Sequence, residues 1–242
     1  MMKLLKSITL VTLISCVSIS NAQWGKWKKV KGDGNITTVT RTTAEYDGLK
    51  ASGPIDFKLV EGKEGNISIK GDANLMDYII TEIKDGNLIV KTKKGVNLKP
   101  TKTIVVTVPY ESISYVSIAG SGDIENSGTI RADELKVSVA GSGDIDLNID
   151  TDAVSSSIAG SGDVVLKGAS DNLTVKIAGS GDFDGKSLNS TNVSAKIAGS
   201  GAANVVCNGD LYVRISGSGD VRYSGTPTSK DTKVSGSGSV KG

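Results

Sequence analysis

Four aspartates occupy the same place in four successive copies of one short phrase: Asp123, Asp144, Asp163 and Asp182. They lie 21, 19 and 19 residues apart. Two residues further on, Glu125, Asp146 and Asp184 add a second acid of the same parity in three of the copies. Carboxylate oxygens stacked in columns are the hard ligands that calcium takes, so the four aspartates form a candidate calcium ladder. The pattern lacks the double glycine and nine-residue spacing of calcium-binding Gly-Gly-x-Gly-x-Asp repeats. A simpler chemistry competes: each side chain accepts a backbone N–H at its bend and is otherwise solvated, with Lys176 and Lys196 nearby. At a strand spacing of about 4.8 Å, neighbouring unit charges repel by roughly 0.9 kcal/mol in water, so something must offset the column.

Other chemistries are excluded by composition. The 242 residues contain no histidine, which removes His-based triads and His-ligated zinc. Of two cysteines, Cys16 falls in the leader and Cys207 shares the parity of Ala203 and Val205, which makes it a small buried hydrophobe. The glycine-rich turns are not phosphate loops, because no helix begins there. Solenoid lyases pair clustered acids with basic residues, and arginine is sparse in the repeats: Arg131, Arg214 and Arg222. The chain reads as a non-enzyme without a cofactor, calcium apart.

The element that must position the aspartates is a seven-fold refrain of the type Ile-Ala-Gly-Ser-Gly-Asp-Ile, with first glycines at Gly120, Gly141, Gly160, Gly179, Gly199, Gly217 and Gly236. Within one copy, Leu173, Val175, Ile177, Gly179, Gly181 and Phe183 share one parity, and Thr174, Lys176, Ala178, Ser180 and Asp182 share the other. This is strand alternation. Each repeat is predicted to be two short strands joined by a Gly-Ser-Gly bend, with a return turn such as Asn126–Gly128 or Lys186–Ser190. A period of about 19 residues is too short for a helical pair, and one coil cannot bury both of its own sides. Stacked coils solve both problems. The expectation is an all-β, single-domain, right-handed parallel β-helix (β-solenoid) in which alanine, serine and aspartate recur as ladders.

The rest of the chain is read around that solenoid. Residues 1–22 form a signal peptide, with Lys3 and Lys6 before the apolar run Ile8–Ile19 and cleavage after Ala22. Leu13–Cys16 offers a rival lipoprotein cut at Cys16. Residues 23–44 are a leader or cap: Trp24 and Trp27 either touch a membrane or acidic polymer among their lysines, or close the open end of the solenoid. Residues 45–242 form the solenoid, with regular repeats from about 116. Strands are expected at Ile36–Arg41, Ile55–Val60, Asn66–Lys70, Ile79–Ile83, Leu88–Lys91 and Thr103–Val108, the last ending at Pro109; a helical turn is expected at Asn74–Asp77, and a lysine-flanked loop at Val96–Pro100. Ala51–Phe57 is a worn refrain that aligns Gly53 with Gly120, Asp56 with the aspartates and Phe57 with Ile124.

Taken together, Lys31–Asn35, Ala51–Val60, Gly71–Leu75, Thr81–Leu88 and the Gly-Ser-Gly-Asp refrain resemble the head GIN domain of auto-transporter adhesins, a domain of unknown function common in Bacteroidetes. The resemblance covers nearly all of the chain after residue 22. It implies a right-handed β-helix-like fold, export and an adhesive role, and it carries no catalytic residues. Ala202 and Ser239 depart from the aspartate column.

The functional expectation is an exported cell-envelope protein, located in the periplasm, at the outer-membrane surface or outside the cell. It binds a surface, glycan or protein ligand through Ser/Ala/Asp ladders, without nucleic acid and without a transmembrane helix in the mature chain. Cleavage after Ala22 leaves 26 basic and 26 acidic residues, too even a balance for a nucleic-acid binder. The alternatives are self-association by end-to-end stacking of coils and a calcium-stabilised carbohydrate-binding module.

Overall fold

The computed structural model describes residues 27–242. The predicted signal peptide, Cys16 and Trp24 lie outside the described residues. Within them the chain is a parallel β-solenoid built on one 18-stranded sheet, with a second sheet of two strands at the N-terminal end. The refrain copies stack residue on residue. Val139 pairs with Ile158, Ile158 with Ile177, Ile177 with Ile197, Ile197 with Ile215 and Ile215 with Val234. The core is the inner parity of these strands: Leu173, Val175, Ile177 and Phe183 are all buried, as are their counterparts above and below. Cys207 is buried as expected.

The middle coils are simpler than predicted. Ile145–Gly160, Val164–Gly179 and Phe183–Gly199 are each one continuous strand, interrupted only at the Gly-Ser-Gly bend. The return turn expected at Lys186–Ser190 is therefore part of a strand. The corner is made by a slip in burial: Thr151 and Val154 both point inward, as do Ser170 and Leu173, and Ser190 and Val193. An interval of three swings the strand onto a new face without breaking its ladder. Thr151, Ser170 and Ser190 stack at this corner. The Thr151 hydroxyl donates to Ser170 Oγ at 3.1 Å, and Ser170 Oγ donates to the Asn172 carbonyl at 3.3 Å. In the outer coils a turn separates two strands: Ile124–Ser127 from Ile130–Gly141, Ala202–Val206 from Asp210–Gly217, and Asp220–Ser224 from Ser229–Gly236.

The N-terminal third is threaded out of order. The worn refrain sits where its alignment placed it, with Gly53 opposite Gly120 and Phe57 opposite Ile124. Its other edge is not free. Gly48–Gly53 also pairs with Asn87–Thr92, and Ile55–Glu61 with Ile104–Tyr110, both parallel. After Glu61 the chain leaves the coil and builds Asn66–Asp72, antiparallel to both Ile36–Thr42 and Ile104–Tyr110. The 3-10 turn Ala73–Tyr78 follows, then Ile79–Lys84 antiparallel to Asn87–Thr92. The coil of residues 48–61 is thus clasped between later segments. Val96–Lys99, predicted as a loop, is a strand with Val96 and Leu98 buried, paired with Lys28–Lys31. Trp27 is 64% exposed and closes nothing. Pro109 lies inside the strand Ile104–Tyr110, and its carbonyl accepts the Tyr46 hydroxyl.

Candidate functional site at the Gly-Ser-Gly-Asp bend

The bend is built from backbone groups first. The carbonyl of Gly120 accepts two N–H groups from the coil above, Ser142 at 2.9 Å and Gly143 at 3.1 Å. Gly141, Gly160, Gly179, Gly199 and Gly217 repeat this pair of bonds coil after coil. Such close stacking leaves no room for a side chain. A Cβ on Gly162 would lie 2.1 Å from the Gly143 carbonyl oxygen, and Gly160 in addition has φ +126.

The aspartates complete the bend. Asp163 Oδ1 accepts the N–H of Asp182 at 2.8 Å, Asp144 Oδ1 that of Asp163 at 2.8 Å, and Asp123 Oδ1 that of Asp144 at 3.0 Å. Asp56 does the same for Asp123 at 3.1 Å, and Asp182 for Ala202 at 2.7 Å. The main chain turns here, so that its N–H meets a carboxylate of the preceding coil. Asp123, Asp144, Asp163 and Asp182 are thus brought into one exposed column, as predicted, and each secures the coil that follows. Asp56, half-buried, has its carboxyl pushed up chiefly by that burial; the Asp123 N–H bond pulls the other way, and the charges of Asp123 and Glu125 add to the rise.

The two departures from the column fit this role. Ser239 Oγ donates to Asp220 Oδ1 at 2.7 Å, and its N–H donates there at 2.9 Å, which holds the Asp220 carboxyl below the usual range. Around Ala202 the strands begin one residue earlier, and Ala202 and Asp220 become ladder partners.

The second column is paired with lysines. Lys58 pairs with Glu125 at 2.7 Å, Lys167 with Asp146 at 2.8 Å and Lys186 with Asp184 at 3.0 Å. Lys176 and Lys196 form no ion pair with the aspartates. Among the described residues, no group of three or more acids converges on a point that could hold a metal ion.

Lys176 and Lys196 stand on the other side of the bend. There the strand face presents the alanine column Ala119, Ala140, Ala159, Ala178 and Ala198, continued by Ser216 and Ser235. Beside it runs a column that reads Ser117, Ser138 and Ser157 in the first regular coils and becomes Lys176, Lys196, Arg214 and Lys233 in four consecutive coils. The two columns line a shallow groove of about 580 Å³. Arg214 stacks 3.9 Å from the Tyr212 ring centroid and pairs with Asp231 at 2.6 Å. Sequence reasoning passed over this basic column, although its signal was present: in the last four copies the residue three before the first glycine is a cation.

Residues 45–227 match the family model described as "Putative auto-transporter adhesin, head GIN domain". The chain belongs to this family. Its GIN-domain fold is shared with a "putative adhesin" of Bacteroides fragilis, at a TM-score of 0.82 and 20% identity over 88% of this chain and 99% of that one. A "putative adhesin" of Parabacteroides merdae matches at a TM-score of 0.68 and 26% identity, over 88% and 98% of the two chains. A Parabacteroides distasonis protein described as a "putative lipid binding protein" matches at 0.72 and 25%, over 88% and 99%. Among curated proteins, none matches the sequence. No helix among the described residues is long and apolar enough to cross a membrane.

Proposed function

We propose that this GIN-domain protein is an exported, non-enzymatic adhesive module of the cell envelope, freed from its signal peptide after Ala22. It engages its surface partner through the strand face that precedes the bend. The observation that carries this reading is the groove formed by the alanine and Ser/Lys/Arg columns, which are held in register across successive coils. A flat, repetitive face suits a repetitive or extended partner, as in other stacked-repeat proteins. The family's adhesin description supports the same assignment. The aspartate column serves the solenoid itself by holding each coil to the next.

The test is binding of labelled residues 23–242 to surfaces coated with bacterial cells or mucin. Ala159→Trp with Ala178→Trp fills the groove at two exposed positions and leaves the core untouched. Loss of binding with an unchanged melting transition is the expected result. Undiminished binding by the double variant would remove the face from the function.

A further inference from the structure

We infer that Lys176, Lys196, Arg214 and Lys233 form a ladder for an extended anionic polysaccharide that runs along the solenoid axis. The inference rests on the adhesive reading above and names the chemistry of its ligand. Four cations recur on consecutive coils, at a strand spacing of about 4.8 Å. Lys176, Lys196 and Lys233 form no ion pair among the described residues, and Asp231 is the only acid that pairs within the stretch. Like charges at that spacing repel by roughly 0.9 kcal/mol per neighbouring pair in water. A ligand with negative groups at regular intervals along one direction removes that repulsion at every rung. A sugar polymer bearing carboxylates or sulfates is such a ligand, and its ring faces can lie on the flat column Ala159, Ala178 and Ala198 beside the cations.

Two other polyanions fit less well. Single-stranded nucleic acid is gripped by aromatic stacking platforms. The alanine and Ser/Lys/Arg columns hold no aromatic side chain; Tyr212 stands in the next column, and Arg214 covers its ring. An anionic membrane calls for a large apolar face to insert, and the groove exposes alanine methyls between its charges while the Ile158, Ile177 and Ile197 side chains are buried.

Equilibrium binding of residues 23–242 to dextran sulfate, with neutral dextran and a single-stranded oligonucleotide as comparisons, decides the matter. The double variant Lys176→Ser with Lys196→Ser copies Ser138 and Ser157 of the same column. Lys84→Ser with Lys94→Ser removes equal charge from the N-terminal end. Wild-type affinity for dextran sulfate should fall with salt at a log–log slope of about −2 to −3. The ladder variant should bind about five- to tenfold more weakly, its melting transition should not drop, and the control variant should bind as wild type. Equal weakening in both variants, equal affinity for neutral dextran, or tighter binding of the oligonucleotide would each overturn the inference. Adhesion to coated surfaces without affinity for dextran sulfate overturns it too, yet leaves the adhesive reading standing. If both are absent, both readings fall.

Discussion

Asp163 offers a way to separate what a column aspartate contributes from what it costs. Its Oδ1 holds the Asp182 N–H at 2.8 Å, and Asp144 and Asp182 flank it one coil away on either side. An amide bond to a charged acceptor contributes about 1.5–3 kcal/mol, and at this exposed position about 1 kcal/mol is a fair share. Against it stand two repulsions of roughly 0.9 kcal/mol each at low salt, cut to a small fraction at 1 M, where the screening length is about 3 Å. Asp163→Asn keeps an acceptor oxygen and loses the charge; Asp163→Ala loses both. Urea unfolding in 0.02 M and in 1 M NaCl should find the alanine variant about 1 kcal/mol less stable than the asparagine variant at either salt. Relative to wild type, both variants should gain about 1 kcal/mol as salt is lowered. Equal stability of the two variants would show that the carboxylate does not hold the next coil. No dependence on salt would show that the column is already neutralised by something else.

Three further outcomes follow from the same geometry. Gly162→Ala should cost about 3 kcal/mol or more, because its Cβ meets the Gly143 carbonyl oxygen at 2.1 Å; Gly34→Ala, strained in φ but with open space around it, should cost only about 1 kcal/mol in the same chemical denaturation. Thermal melts should show no shift between calcium and chelator, since one oxygen of each column aspartate is already given to a backbone N–H; a rise of several degrees with calcium would restore the metal ladder. The Thr101 hydroxyl and N–H hold the buried Asp72 carboxyl below the usual range. Its contribution is therefore complete above the unfolded-state value of about 3.9 and is lost as pH falls through the lower folded-state value. Thr101→Val should move the acid-unfolding midpoint to higher pH, as followed by circular dichroism.

The regular coils were legible because period and parity act together. An inner position such as Ile177 must be apolar, and a stacked position such as Gly179 must be glycine, so the refrain records both the fold and its register. The alignment of Gly53, Asp56 and Phe57 with the first full copy held for the same reason. What escaped notice was long-range and aperiodic. No repeat relates Asn66–Asp72 to Ile36–Thr42 or Ile104–Tyr110, and antiparallel partners leave no spacing in the sequence. Val96–Lys99 alternates over only four residues, and its partner strand Lys28–Lys31 lies in a lysine-rich segment that reads as a leader. The basic column was missed because Ser138 and Ser157 share its position, which dilutes the pattern until the register is known.

The clasped coil of residues 48–61 constrains how the molecule comes into being. A chain that emerges from its N-terminus cannot simply wind coil upon coil. The first segment with the refrain must wait for Asn87–Thr92 and Ile104–Tyr110 before one of its two edges is paired. Closing contacts across that separation is slow, whereas each later coil adds to a finished edge. Assembly is therefore divided into one delayed initiation near residue 110 and a run of quick additions after it. Under the export proposed above, that delay helps, because little of the chain can lock before its N-terminal third has crossed the membrane.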